Sequence, residues 1–273
     1  MRGEFLDVGG VRLYYYAAGE RGAGEPVVLL HGFPTSSHLW ADVVPLLPAG
    51  HRVVVLDQLG FGRSDRPNGQ PVTVLGHAER VITLMDTLLI ERACIVGHDM
   101  GGAVAQMLAV RWPTRVSHLG LVDSAAFDEW PVRELKLARA MAPLTRHLPS
   151  EWLVTLLRRE LARGYVEHER ALRSVELYAR PFATAEGRDT FVQHLNELDS
   201  ADTVALASRL KNVVAPTAIV WGADDPFQPV GVAERLREAI PDATLHVCPS
   251  VRHFVPEEAP QCVADAISHL LTR

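Results

Sequence analysis

The chain has 273 residues, 48% hydrophobic and 22% charged, a globular composition that excludes a disordered polymer. Its formal net charge of −6 excludes a broadly basic nucleic-acid-binding surface. No stretch approaches the roughly 20 uninterrupted apolar residues of a membrane span, and no long apolar run follows the N-terminal charge as in a signal peptide. The expectation is therefore a soluble cytoplasmic protein, monomeric or homodimeric, with neither nucleic-acid nor membrane partners.

In chain order, residues 11–17 are β-rich and include Tyr14, Tyr15 and Tyr16. The apolar runs 26–30 and 52–56 are bounded by turn residues and read as buried strands, as do 93–96 and 119–122. Between them, Val81, Ile82, Met85, Leu88 and Leu89 recur at helical spacing, which predicts an amphipathic helix over 78–89. This alternation predicts a mostly parallel sheet flanked by helices. It breaks after Asp123. Residues 131–210 carry almost no strand signal and read as helices over 133–141, 151–161, 166–178 and 187–195, punctuated by Pro143, Pro149 and Pro181. Strands at 217–221 and 244–248 and a helix at 258–271 complete the pattern. The organisation is a core over 1–130 and 213–273, with a helical lid over 131–212 inserted after the sixth strand. Cys94, Cys248 and Cys262 form no CxxC pair, so neither a disulfide framework nor a zinc site is expected.

The most informative segment is Gly97-His98-Asp99-Met100-Gly101-Gly102, which joins an apolar strand to an apolar helix. Glycines at 97, 101 and 102 permit a sharp strand-to-helix turn, with Asp99 at its apex, where a helix N-terminus favours negative charge. This arrangement resembles the nucleophile elbow of the α/β-hydrolase superfamily. Its aspartate is similar to that of the branch containing epoxide hydrolases and haloalkane dehalogenases. The resemblance spans essentially the whole chain. Leu30-His31-Gly32-Phe33-Pro34 resembles the family's oxyanion loop, and Asp57-Gln58-Leu59-Gly60-Phe61-Gly62-Arg63-Ser64-Asp65 resembles its structural turn.

The resemblance implies a triad of Asp99 as nucleophile, His253 as general base and Asp225 as the acid orienting the histidine. Asp224 and Asp123 are rivals to Asp225. Backbone N–H groups of Phe33 and Met100 would form the oxyanion hole. Ser36, Ser37 and Ser124 lie away from the elbow, and His98 reads as a support for it.

An aspartate attacking an sp³ carbon leaves an ester, which histidine-activated water can hydrolyse; a serine would leave an inert ether. The expected activity is cofactor- and metal-independent epoxide hydrolysis of a small, largely apolar organic substrate. A haloalkane or haloacid dehalogenase is the alternative, although Met100 and Phe33 stand where dehalogenases place halide-holding side chains. A catalytically silent binding protein on the same scaffold is the non-enzymatic alternative. Among the lid's tyrosines and histidines (Tyr165, Tyr178, His147, His194), Tyr178 and His194 are the candidate proton donors to an epoxide oxygen. Trp40, Trp130 and Trp152 are candidate pocket residues.

Overall fold

A computed structural model describes residues 3–19, 24–131, 137, 139–140 and 149–273. Eight strands form one sheet: β1 (Glu4–Asp7), β2 (Arg12–Ala18), β3 (Val27–Leu30), β4 (Val53–Leu56), β5 (Ala93–His98), β6 (Val116–Val122), β7 (Thr217–Gly222) and β8 (Ala243–Cys248). Their spatial order is β1-β2-β4-β3-β5-β6-β7-β8. Only the β1–β2 and β2–β4 pairings are antiparallel; every later pairing is parallel. Every residue of β3, β5 and β7 is buried, as expected of parallel strands covered on both faces.

The helices whose bounds fall among the described residues are α1 (Val74–Thr87), α2 (Met100–Arg111), α3 (Ser150–Ala162), α4 (His168–Ala179), α5 (Ala185–Glu197), α6 (Ala201–Ala207), α7 (Val230–Ala239), α8 (Val255–Glu258) and α9 (Pro260–Leu270). One face of the sheet packs with α1, α2 and α7 into a core containing Leu84, Val104, Leu108 and Leu236. The other packs Trp40, Val96 and Val220 with Val263 and Ile267 of α9. Between β6 and β7 the described residues include α3 to α6 and no strand. The helix expected over 133–141 lies mostly outside the described residues, as do Pro143 and His147.

Three differences have local physical causes. Helix α1 begins four residues earlier than its apolar period suggests, because the Thr73 hydroxyl accepts from the Gly76 N–H and caps it. Strand β1 is mostly exposed and carries little apolar alternation, so its existence depends on pairing with β2. The closing helix is broken into α8 and α9 at Ala259, followed by Pro260.

The cysteine expectation is corrected. Cys248 at the end of β8 and Cys262 in α9 form a disulfide across 14 positions, leaving Cys94 buried and free. In the chain-entropy account, closing a loop of this size removes about 3 kcal/mol of unfolded-state freedom. The Cys248→Ser/Cys262→Ser double variant should therefore melt about 6–12 °C lower under non-reducing conditions. Equal melting temperatures would show that the bridge contributes nothing. Among the described residues, no helix is long and apolar enough to cross a membrane.

Candidate active site

Asp99 sits between the end of β5 and the start of α2 with φ 49° and ψ −119°, a conformation uncommon for a residue with a side chain. The turn is fixed from several sides. The Asp99 N–H donates to the Val122 carbonyl, and its own carbonyl accepts from Gly102, Ala103 and Ala125. A Cβ at Gly97 would lie 2.0 Å from the Gly101 carbonyl oxygen, and one at Gly101 would lie 2.5 Å from the Leu30 carbonyl oxygen. Only glycine fits there, which places the carboxylate beside the loop after β3.

The two carboxylate oxygens have different surroundings. Asp99 Oδ2 accepts from the Phe33 N–H at 3.0 Å, and the Met100 N–H also hydrogen-bonds the carboxylate. Asp99 Oδ1 receives a long contact, 3.4 Å, from the Gln228 amide Nε2. Burial raises the Asp99 pKa, opposed by His253 and by the two backbone donors.

His253 Nδ1 lies 2.8 Å from Asp225 Oδ2, with both side chains almost completely buried. Asp225 Oδ1 is occupied by the N–H groups of Phe227 (2.7 Å) and Gln228 (3.0 Å), which fixes the carboxylate's orientation. Burial disfavours the imidazolium, but the Asp225 and Asp99 charges outweigh it and lift the His253 pKa above its ordinary value. The histidine's backbone is held too: its N–H donates to Gly164, and its carbonyl accepts from His98 Nε2–H at 2.9 Å. His98 is itself buried and held neutral by that burial.

The structure separates the three aspartates. Asp224 is exposed, with its N–H on the Val251 carbonyl. Asp123 is completely buried, and its Oδ1 accepts from the Gly222 N–H. Burial and the neighbouring Asp225 charge push its pKa well up. The imidazole meets Asp225.

Above Asp99 lies a cavity lined mainly by Phe33, Trp130, Leu157, Leu161, Phe227 and Phe254, with Asp99, His253, Gln228 and Glu160 as its ionisable or amide side chains. Trp130 contributes its ring; its indole N–H is engaged by the Thr203 hydroxyl at 2.7 Å. The other candidate tryptophans are elsewhere. Trp40 is wholly buried in the α9-side core, and Trp152 is 69% exposed on α3.

The structure places the expected proton donors away from the residues that line this cavity. The Tyr178 hydroxyl donates to Glu257 Oε1 at 2.5 Å; Tyr165 reaches the same oxygen at 3.0 Å, and Ser174 bonds the other. This buried carboxylate gathers three hydroxyls, and neither tyrosine lines the cavity. His194 places Nδ1 on the Thr190 carbonyl and Nε2 on the Leu59 carbonyl, at 3.0 and 3.1 Å. Burial lowers its pKa to about 4; the neutral ring can donate to only one of these two carbonyls, and both its nitrogens face backbone. Tyr178→Phe should accordingly leave the rate of any chemistry at Asp99 within about twofold while costing about 1–2 kcal/mol of stability. Paired rate and denaturant-unfolding measurements check this; a large rate loss without destabilisation would place the hydroxyl in the reaction.

Sequence reasoning missed Gln228 and Glu257. Gln228 lies three residues after Asp225, but its direction depends on how the turn Asp225-Pro226-Phe227-Gln228 folds. Glu257 becomes significant only when α4 is packed against α8.

A family model for the alpha/beta hydrolase fold matches residues 25–260. Haloalkane dehalogenase 2 of Mycobacterium bovis is 30% identical over 267 residues, covering 94% of this chain and 90% of that protein. The cis-3-alkyl-4-alkyloxetan-2-one decarboxylase of Shewanella oneidensis is 30% identical over 98% of this chain and 87% of its own length. The enol-lactonase from Burkholderia xenovorans LB400 superposes with a TM-score of 0.85 at 26% identity, covering 99% of this chain and 100% of that one.

Proposed function

This chain belongs to the alpha/beta hydrolase fold family, and from that premise we propose that it hydrolyses small, largely apolar electrophiles at an sp³ carbon through a covalent ester on Asp99. One observation carries this reading: Oδ2 of Asp99 is held by the Phe33 N–H, Oδ1 receives the long Gln228 contact, and Asp99 lines the same apolar cavity as His253. In this reading Oδ1 attacks the carbon in line with the departing group. The resulting ester carbonyl, Oδ2, already accepts from the Phe33 N–H, which together with the Met100 N–H that also bonds this carboxylate stabilises the oxyanion when water adds. His253 takes the water's proton, and Asp225 supports the imidazolium. The helices between β6 and β7 act as the lid over the cavity.

Among leaving groups, a halide needs no proton to depart, although neither Phe33 nor Met100 offers the leaving anion a side-chain donor. An epoxide oxygen needs a donor, and Tyr178 and His194 are committed elsewhere. The similarity to a haloalkane dehalogenase supports the same ordering. We therefore place carbon–halogen bonds first and epoxides second. The test is a panel of 1-haloalkanes, terminal epoxides and β-lactones in ¹⁸O-water, with halide, diol and acid or alkene products measured separately. Halide release with a matching alcohol supports the reading. Diol from epoxides without halide release reverses the order of substrates, and an absence of turnover across the panel removes the proposal.

The pH dependence follows from His253. Hydrolysis needs the neutral imidazole, so its rate should rise with pH through the His253 pKa of the ester form, which Asp225 raises and from which the Asp99 charge is missing. Alkylation needs only ionised Asp99. As pH falls, hydrolysis should fail first and the fraction of alkylated protein should grow, which intact-mass measurement across a pH series reads directly. A constant adduct fraction would contradict this order.

A further inference from the structure

Gln228 carries an amide beside the reacting carboxylate, and half of that amide has no partner. Its side chain is buried, its Nε2 points to Asp99 Oδ1 at 3.4 Å, and its Oε1 makes no hydrogen bond. The residue lines the same cavity as His253. Its backbone is fixed independently of the side chain: the N–H donates to Asp225 Oδ1, and the carbonyl accepts the Trp221 indole N–H at 2.7 Å. A buried amide oxygen left without a donor is costly unless something that comes and goes supplies one.

We propose that Gln228 is a further catalytic residue that seats the hydrolytic water, a role that rests on the covalent-ester reading above. Water entering after alkylation gives one hydrogen to Gln228 Oε1 and the other to His253 Nε2. Two acceptors orient the water's lone pair toward Cγ of Asp99, where one acceptor would leave it free to rotate. The new bond forms between the water oxygen and Cγ, and His253 keeps the transferred proton. Collapse then breaks the Cγ–Oδ1 bond; the product alcohol leaves with Oδ1 and takes the proton back from His253. The hydrogen on Gln228 stays with the new carboxyl group and is released as Asp99 ionises. During this collapse the Nε2–H of Gln228 faces the oxygen that carries the developing charge. In the alkylation step the same contact only dampens the nucleophile. Gln228 therefore acts with opposite sign on the two half-reactions.

The experiment is rapid-quench kinetics on Gln228→Leu and Gln228→Glu with 1-bromohexane, and styrene oxide in parallel, following adduct and product separately. Gln228→Leu should hydrolyse the ester about tenfold to hundredfold more slowly, with alkylation unchanged or faster by up to about threefold. The protein should consequently accumulate as adduct during turnover. Gln228→Glu keeps an oxygen acceptor at the same reach and should recover part of the hydrolytic rate. Unaltered hydrolysis in Gln228→Leu, or an equal fall of both steps, overturns the role of Gln228 while leaving the ester mechanism standing. If His253→Gln forms no adduct with either probe, the ester mechanism itself fails and this inference falls with it.

Discussion

Glutamine in place of His253 should turn the protein into a single-turnover reagent that stops as an ester on Asp99. Attack by Asp99 Oδ1 requires an ionised carboxylate and an aligned carbon; without the imidazole, the Met100 and Phe33 N–H groups still favour the ionised form. Hydrolysis requires a base at the water, and the His253 imidazole is held by Asp225 at 2.8 Å. The substitution should leave the fold intact, since the backbone of residue 253 is held by the Gly164 carbonyl and by His98. Steady-state turnover should fall by about 10⁴-fold or more, as when a triad base is removed. Intact-protein mass spectrometry should show one added alkyl group, mapped by digestion to the segment containing Asp99. Native turnover in this variant would show that the water is activated elsewhere.

The parts of this site legible in the sequence are those whose local geometry admits few residue types. Gly97 and Gly101 are in that class, because neighbouring backbone atoms occupy the space of a Cβ. A turn so constrained displays whatever residue stands at its apex, which is why the sequence alone points to Asp99. The choice among Asp123, Asp224 and Asp225 was of another kind. All three lie at or just beyond strand ends, and only the packed position of the His253 loop decides which carboxylate meets the ring.

Tyr178 and His194 show why the wall opposite Asp99 was harder to read. Each is on a helix whose apolar period was legible, α4 and α5, yet the period says only which side is buried. It does not say whether the buried side faces a cavity or another helix. Tyr178 finds a carboxylate 79 positions away, and His194 finds a carbonyl 135 positions away. These long-range partners satisfy the polar atoms that an epoxide-opening mechanism needs free. The Cys248–Cys262 bridge was missed for the same reason, since the pairing depends on the path from β8 into α9.

Removing the Asp99 carboxylate should abolish the chemistry without harming the fold, and the choice of replacement makes this a sharp test. Asp99→Ala takes away the attacking oxygen and should reduce product formation by about 10⁴-fold or more, with no adduct by mass. Alanine inherits the unfavourable backbone at φ 49°, whereas glycine adopts it without a steric penalty. A strained position of this type stores about 1–3 kcal/mol, and glycine gives back part of that gain by enlarging the freedom of the unfolded chain. Both changes also remove a buried carboxylate whose charged form burial disfavours. Asp99→Gly should therefore be as inactive as Asp99→Ala and melt higher than it, by about 2–4 °C for each 1 kcal/mol recovered. The elbow carbonyl remains bonded to Gly102, Ala103 and Ala125 in either variant, so the turn keeps its shape. Activity persisting in Asp99→Ala would refute covalent attack from this position. A lower melting temperature for the glycine variant would show that the turn is held by the aspartate side chain rather than against it.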